Sequence, residues 1–335
     1  MKKRIIAAAL AVFGAAVQAD VHRNHGSHHE HLSQAPAGVM GDHVHRRGDW
    51  MFSYSYMRMH MDGMRDGSDG LSDGEVLADY MVAPLRMDME MHMLGAMYAL
   101  NDSFTVMAML PYVKKDMDHV TRMGARFTTR SEGVGDVRLS GLYGLSRKEQ
   151  RNILVSLGVS MPSGDIDESD DTPAMNDAQL PYPMQLGSGT WDLLPGVTYT
   201  DGFGAWSWGG QVVATLRLGD NDNDYSLGDR LELSGWASYR LAPAWSASLR
   251  LAGQSWGDVD GEDPQLNPVL VPTADPELQG GRRLDLLAGV NLFVPGNGFG
   301  ANRVALEAGL PVYEHLDGPQ MSADWSLTAS WQVLF

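Results

Sequence analysis

Two runs, Met57-Arg58-Met59-His60-Met61 and Met87-Asp88-Met89-Glu90-Met91-His92-Met93, alternate thioethers with polar or charged residues. Thioether sulfur is a soft donor that selects Cu(I) or Ag(I), and it is equally a flexible apolar filler. A second donor set lies upstream, where His22, His25, His28, His29, His31, His43 and His45 crowd the stretch from Asp20 to Arg47. Neutral imidazoles near one another take Zn or Cu, so a copper or zinc site built from these His and from Met57, Met59 and Met61 is one candidate chemistry. Their irregular spacing fixes no coordination geometry.

A third set is acidic: Asp165, Asp167, Glu168, Asp170 and Asp171, then Asp220, Asp222 and Asp224, then Asp258, Asp260, Glu262 and Asp263. None completes an EF-hand loop, so the expectation is a collective negative rim that draws cations and repels anions. His-Glu-x-x-His and phosphate-loop motifs are absent, and His60, His92, His119 and His315 have no recognisable Ser partner. The expectation is that the protein is not an enzyme.

What positions these groups is an alternation with a period of two. At the C-terminus Trp325, Leu327, Ala329, Trp331, Val333 and Phe335 alternate with Ser326, Thr328, Ser330 and Gln332. Such a split is a strand with one apolar and one wet face. The chain ends on the aromatic itself, as the closing strands of outer-membrane barrels do. Twelve such segments can be counted between 49 and 335. Connections after even-numbered segments are short, as at Ala242-Pro243, whereas those after odd-numbered ones are mostly long, as at 63–86, 114–133, 163–188 and 257–281. This asymmetry predicts an all-β fold: a transmembrane, antiparallel, up-and-down barrel of about 12 strands over 48–335.

Period-two parity also assigns faces. Arg138, Arg217, Glu232, Arg240, Arg250, Arg283, Asp285 and Glu307 should face the lumen. Met57, Met59 and Met61 share a face with Ser53 and Ser55 and should join them. In the next run Asp88, Glu90 and His92 are expected to take the lumen, leaving Met87, Met89, Met91 and Met93 to lipid. Pro195-Gly196 sits mid-strand, where loss of a ladder N–H suggests a bulge.

Lys2, Lys3 and Arg4 precede a short apolar run ending in Val17-Gln18-Ala19, which reads as a secretory signal over 1–19. The His-rich stretch 20–47 reads as a disordered lead-in. Without the three signal charges, 22 basic residues face 42 acidic ones, which excludes a nucleic-acid partner. There is no Cys, so the fold must rest on its hydrogen-bond ladder.

Several stretches carry a resemblance: Val82-Ala83-Pro84 through Met93, Met109-Leu110-Pro111-Tyr112-Val113, and Gly133-Val134-Gly135-Asp136-Val137-Arg138-Leu139-Ser140-Gly141. With Leu180-Pro181-Tyr182-Pro183-Met184-Gln185-Leu186-Gly187-Ser188-Gly189 and Pro272-Thr273-Ala274-Asp275-Pro276, they are similar to the Met-rich members of an outer-membrane family labelled for a meta-pathway of phenol degradation. The resemblance implies a barrel in the outer membrane of a Gram-negative bacterium that passes or binds small, often hydrophobic, solutes. Its expected partners are outer-membrane lipid, the solute, and the barrel-assembly machinery that reads a closing strand ending in Phe335. No cofactor is implied beyond the Cu or Zn of the alternative reading. If the lead-in captures metal, a peptide spanning 20–47 should bind Cu(II) or Zn(II) more weakly as pH falls through about 6.5, where imidazoles protonate. Affinity unchanged between about pH 7.5 and about pH 5 would exclude imidazole ligation.

Overall fold

The structure, a computed structural model, describes residues 35–148, 151–294 and 300–335, the side chains of 147 and 148 excepted. The signal-like stretch and His22, His25, His28, His29 and His31 lie outside the described residues.

The alternating segments become strands in which every second side chain points the same way. In chain order the elements are β1 (Trp50–Gly67), β2 (Asp69–Leu71), α1 (Asp73–Asp79), β3 (Val82–Asn101), β4 (Phe104–Thr121), β5 (Arg126–Val134), β6 (Val137–Lys148) and β7 (Arg151–Met161). They continue as β8 (Ser169–Asp170), β9 (Ala178–Gln179), β10 (Trp191–Phe203), β11 (Trp206–Leu218), β12 (Tyr225–Ser226), β13 (Arg230–Ala242), β14 (Trp245–Trp256), β15 (Asp260–Gly261), β16 (Gly281–Val294) and β17 (Ala301–Leu334). The wall runs β1-β3-β4-β6-β7-β10-β11-β13-β14-β16-β17, each antiparallel to the next, and β17 pairs back onto β1. β2 and β5 pair only beyond it, at the end that carries the long loops.

β17 is a single extended element of 34 residues, yet it crosses the wall twice. Its first half pairs with β16 and its second with β1. Trp331 Nε1 donates to Asn302 Oδ1, and Arg303 Nη1 to Gln332 Oε1, both at 3.0 Å. A straight strand would hold those residues roughly 95 Å apart. The chain therefore doubles back, at Gly318, whose φ of +144° favours glycine. Counting both passes gives twelve crossings.

Outward side chains are apolar and exposed, among them Leu94, Leu110, Leu139, Leu157, Leu249 and Leu310. Trp50, Phe203, Trp206, Trp245 and Phe335 ring the turn end, and Tyr112, Trp191 and Tyr313 ring the loop end, all exposed. Trp191 and Phe203 bound the 13-residue β10. That is roughly 40 Å of strand and, at a tilt of about 40°, roughly 30 Å of height, the thickness of a hydrocarbon core. Among the described residues no helix is long and apolar enough to cross a membrane. Strands do the crossing.

Three sequence expectations are corrected. Met87, Met89, Met91 and Met93 face inward, not to lipid. They stand opposite Met61, Met59, Met57 and Ser55 of β1, and directly opposed residues share a face. The charges point outward because they lie above the lipid. Tyr112 of the loop-end ring is opposite His92, so Glu90, Asp88 and Arg86 lie beyond it. There they form ion pairs, Arg58–Asp88 at 3.1 Å and Arg86–Asp118 at 2.6 Å, with Lys114–Glu132 at 2.9 Å and Arg130–Asp116 at 2.7 Å alongside. Pro195 makes no bulge, since the register runs through it unshifted on both sides. Only pairing to β11 lapses, at Leu194 and Pro195, because proline has no N–H to give. Finally, the lead-in from Ala35 onward is not a solvated tail: Ala35, Ala37, Val39 and His45 are buried inside the barrel.

Closure reaches the last residue. Phe335 N donates to Trp50 O at 2.8 Å and Trp50 N returns a bond to Phe335 O at 3.2 Å. Deleting Phe335 removes both bonds and a turn-end ring, and should lower the amount of heat-modifiable barrel in the membrane severalfold. Undiminished assembly of that variant would mean the terminal residue is not part of the seam.

Candidate functional site

The inner face offers three zones in sequence: a segment filling the turn end, a methionine wall, and loops folded over the far end. The filling segment, residues 35–49, touches strands on all sides. Its Gly38 N donates to Glu307 Oε2 at 3.0 Å, Gln211 Nε2 donates to Met40 O at 2.9 Å, and His45 N donates to Thr105 Oγ1 at 3.1 Å. Ala35 and Val39 pack on Trp236. Those partners sit on β17, β11, β4 and β13, so the segment crosses the bore and plugs it. A bidentate pair anchors it: Arg250 Nε and Nη2 donate to the two oxygens of Glu307 at 2.9 and 2.8 Å. Arg303, fully buried, donates to Ala35 O and, at 2.7 Å, to Asn291 Oδ1.

The remaining lumen charges pair within the bore. Arg217 bonds Asp192. Arg283 bonds Asp285 at 3.1 Å, and Arg230 lies 3.5 Å from Glu232. Arg138, opposite inward Met109, and Arg240, opposite buried Ser246, lie on the inner face too. Both signs are present, but Arg138, Arg217, Arg230, Arg240, Arg250, Arg283 and Arg303 outnumber Asp192, Glu232, Asp285 and Glu307.

The register places Met57, Met59, Met61, Met87, Met89, Met91 and Met93 side by side on the inner face of β1 and β3. Across the bore Arg283 Nη1 approaches Met59 Sδ at 3.7 Å, a contact between strands that are not neighbours. The wall continues to Met51, Met97, Met107 and Met109 at the turn end. At the loop end Met61 and Met321 pack on Met87, Met117, Leu180 and Met184. The candidate metal residues are thereby separated. His43 and His45, rings 4.6 Å apart, sit in the plug beside Met51, while Met61 lies roughly 30 Å further along the strand. Among the described residues no group of three or more His, Asp or Glu is placed to hold a metal ion.

The loop end explains the motifs shared with the family. Asp136 of the Gly-x-Gly-Asp start accepts from Gly164 N at 3.0 Å and from Ser188 N and Ser188 Oγ, both at 2.8 Å. Added Cβ atoms would come 2.8 Å from Leu186 Cδ1 at Gly133 and 2.4 Å from Gly164 O at Gly187, so small residues admit the close approach. Lys115, inside the bore, donates to Pro183 O at 2.8 Å and Gln185 O at 2.5 Å, and Ser131 Oγ donates to Met184 O at 2.6 Å. The 180–189 motif is thus a lid seated on the Gly-x-Gly-Asp start. Tyr182 packs edge-on to Tyr225, 4.9 Å between centroids, and its hydroxyl accepts from Asp263 N at 3.1 Å, which ties three loops together. Acidic groups expected to form an open rim are partly consumed here: Asp263 is buried and Asp167 bonds Asn223 Nδ2 at 2.8 Å. Burial, reinforced by Asp165, pushes the Glu168 carboxyl above its usual range, against the pull of Lys115.

Arg303, Lys115, Asp192 and Asp136 are inner residues that residue-type reasoning missed. Parity could have found Arg303, which is in phase with Glu307, and Lys115, in phase with Met109. Asp136 carries no signal beyond its motif.

Fold and bore together define a transmembrane antiparallel β-barrel, plugged at one end, lidded at the other and lined by thioethers between. The chain belongs to the family described as "Putative MetA-pathway of phenol degradation", whose model matches residues 78–308. The structure is similar to the COG4313 outer membrane channel from Pseudomonas putida F1, with a TM-score of 0.61 and 14% identity over 89% of this chain and 99% of that one. A Pseudomonas aeruginosa FadL homologue (TM-score 0.41, 12% identity, 86% of this chain and 90% of that one) resembles it less. So does the TodX deltaS2S3 mutant monoaromatic hydrocarbon channel (0.46, 10%, 89% and 93%). A comparison with curated protein sequences found no match.

Asp136→Ala strips an acceptor from three donors, each costing about 1–3 kcal/mol if left unpaired. The lid should then be cut by protease within 163–188 several times faster, while the barrel stays heat-modifiable. An unchanged cleavage rate would show that the seat does not hold the lid.

Proposed function

We propose that the protein is an outer-membrane channel for small apolar solutes, aromatic ones among them, with its turn end in the periplasm and its lidded end outside. The observation that carries this reading is the methionine wall. Paired Met57–Met91, Met59–Met89 and Met61–Met87 face the bore, and unbranched thioethers re-pack around apolar guests of different shape. The family's description ties it to phenol degradation, which agrees with a small aromatic cargo. A role in catalysis finds no support in this lining, which offers packing surface rather than an activated nucleophile.

The test is uptake of a labelled monoaromatic hydrocarbon at limiting concentration by a strain lacking the protein. Expression of the wild type should raise uptake severalfold. Met89→Glu/Met91→Glu, which sets carboxylates into the wall, should abolish the gain at equal barrel levels. Uptake that is the same with and without the protein would falsify the channel reading.

A further inference from the structure

At the turn end, plug and wall enclose a cavity of about 10 Å³, room for one water-sized body. Met40, Met51, Met97, Met107 and Met109 line it, together with His43. The His43 ring is held in place by Asp42, whose Oδ1 lies 2.8 Å from Nδ1 and accepts its proton. In that tautomer Nε2 keeps its lone pair, and this nitrogen is shielded from solvent without a hydrogen-bond partner. A shielded polar atom with no partner is costly, and this one belongs to a ring lining a cavity that five methionines also line. An imidazole whose other nitrogen donates to a carboxylate is, however, the arrangement found behind metal-bound histidines.

We propose that this cavity binds one soft monovalent cation, Cu(I) or Ag(I), through His43 Nε2 and thioethers of the surrounding methionines. Thioethers with one neutral imidazole favour these ions over Zn, which takes thiolate, imidazole and carboxylate ligands. The donor atoms are uncharged, so the ion brings its own positive charge, and the Asp42 carboxylate behind the ring offsets it. The site is distinct from the Met57, Met59 and Met61 set and does not depend on passage of apolar solutes.

The experiment loads purified full-length protein with Ag(I), or with Cu(I) under reductant, and records stoichiometry and the X-ray absorption of the bound ion. One tightly held equivalent with sulfur neighbours and a nitrogen neighbour is expected. Met97→Leu/Met107→Leu keeps the apolar volume and should lose that equivalent while remaining a heat-modifiable barrel. His43→Gln should lose the nitrogen neighbour, and Asp42→Asn should weaken binding by about tenfold or more, as loss of a group orienting a metal-bound imidazole does. An ion surrounded only by nitrogen or oxygen would overturn the proposal, because it would place the metal on the histidine-rich tail. So would a sulfur-bound equivalent that survives Met97→Leu/Met107→Leu, which would place it on the loop-end methionines. If the double variant does not assemble, Met109→Leu and His43→Gln decide the question by the same spectrum.

Discussion

A strand inside hydrocarbon has no water to satisfy its peptide groups, so every N–H and C=O must find a partner on a neighbouring strand. Here that demand is met by the seam between β1 and the second pass of β17, which runs from Met51 opposite Leu334 up to Gly67 opposite Leu316. Closing the seam fixes the register all round the wall. Because successive side chains point to opposite faces, that one register decides which residues see lipid and which see the bore. A slip of one residue would turn the methionines of β1 and β3 outward and bring Arg58, His60, Asp88 and Glu90 inside.

The bore's contents follow from what the register turns inward. A wall of thioethers is poorly solvated, and a closed barrel of this width leaves room for chain as well as side chains. The plug covers part of the wall at the turn end, and the lid covers Met61, Met87 and Met117 at the other. Backbone drawn into such a space needs partners, and the wall supplies charged ones. Arg303 takes the Ala35 carbonyl, Glu307 takes the Gly38 amide, and Lys115 takes two carbonyls of the lid. Charge inside this barrel thus serves to hold protein segments as much as to greet a solute.

The architecture was legible in the sequence because period-two parity and the short–long rhythm of connections are direct consequences of crossing a membrane by strands. Side-chain facing was legible only where the strand lies within lipid. For Trp331 or Leu249 the solvent on the outside is hydrocarbon, so polarity reports the face. Above the loop-end aromatic ring the outside is water and the inside is packed with methionines and the lid, and there the rule inverted Met87 to Met93. Three wall strands run well past the lipid, so segments expected as loops at 63–86 and 114–133 are partly ladder. The plug was invisible for a different reason. Residues 35–47 mix Pro, Gly, His and charge with scattered apolar residues, which reads as disorder, but their order comes from long-range partners such as Glu307 that no local pattern can announce. The same holds for Asp136, whose partners are Gly164 and Ser188 across a loop.

The two closures are not equivalent, and the difference bears on direction. The plug is held by the buried Glu307, itself in a bidentate pair with Arg250, and by the buried Arg303. Withdrawing the plug would strip Glu307 of the Gly38 amide and Arg303 of the Ala35 carbonyl, and a buried group left unpaired costs about 1–3 kcal/mol, more when it is charged. The lid is held by hydrogen bonds to Asp136, Lys115 and Ser131 and by glycine-to-glycine contact, and its loops border water. Water can replace those bonds as they open, so displacing the lid costs less than withdrawing the plug. A solute that crosses this barrel from the loop end therefore meets the weaker gate first. Past it lies a wall of thioethers that can re-pack around it, and the firmer gate comes last, beside Met51 and Met97.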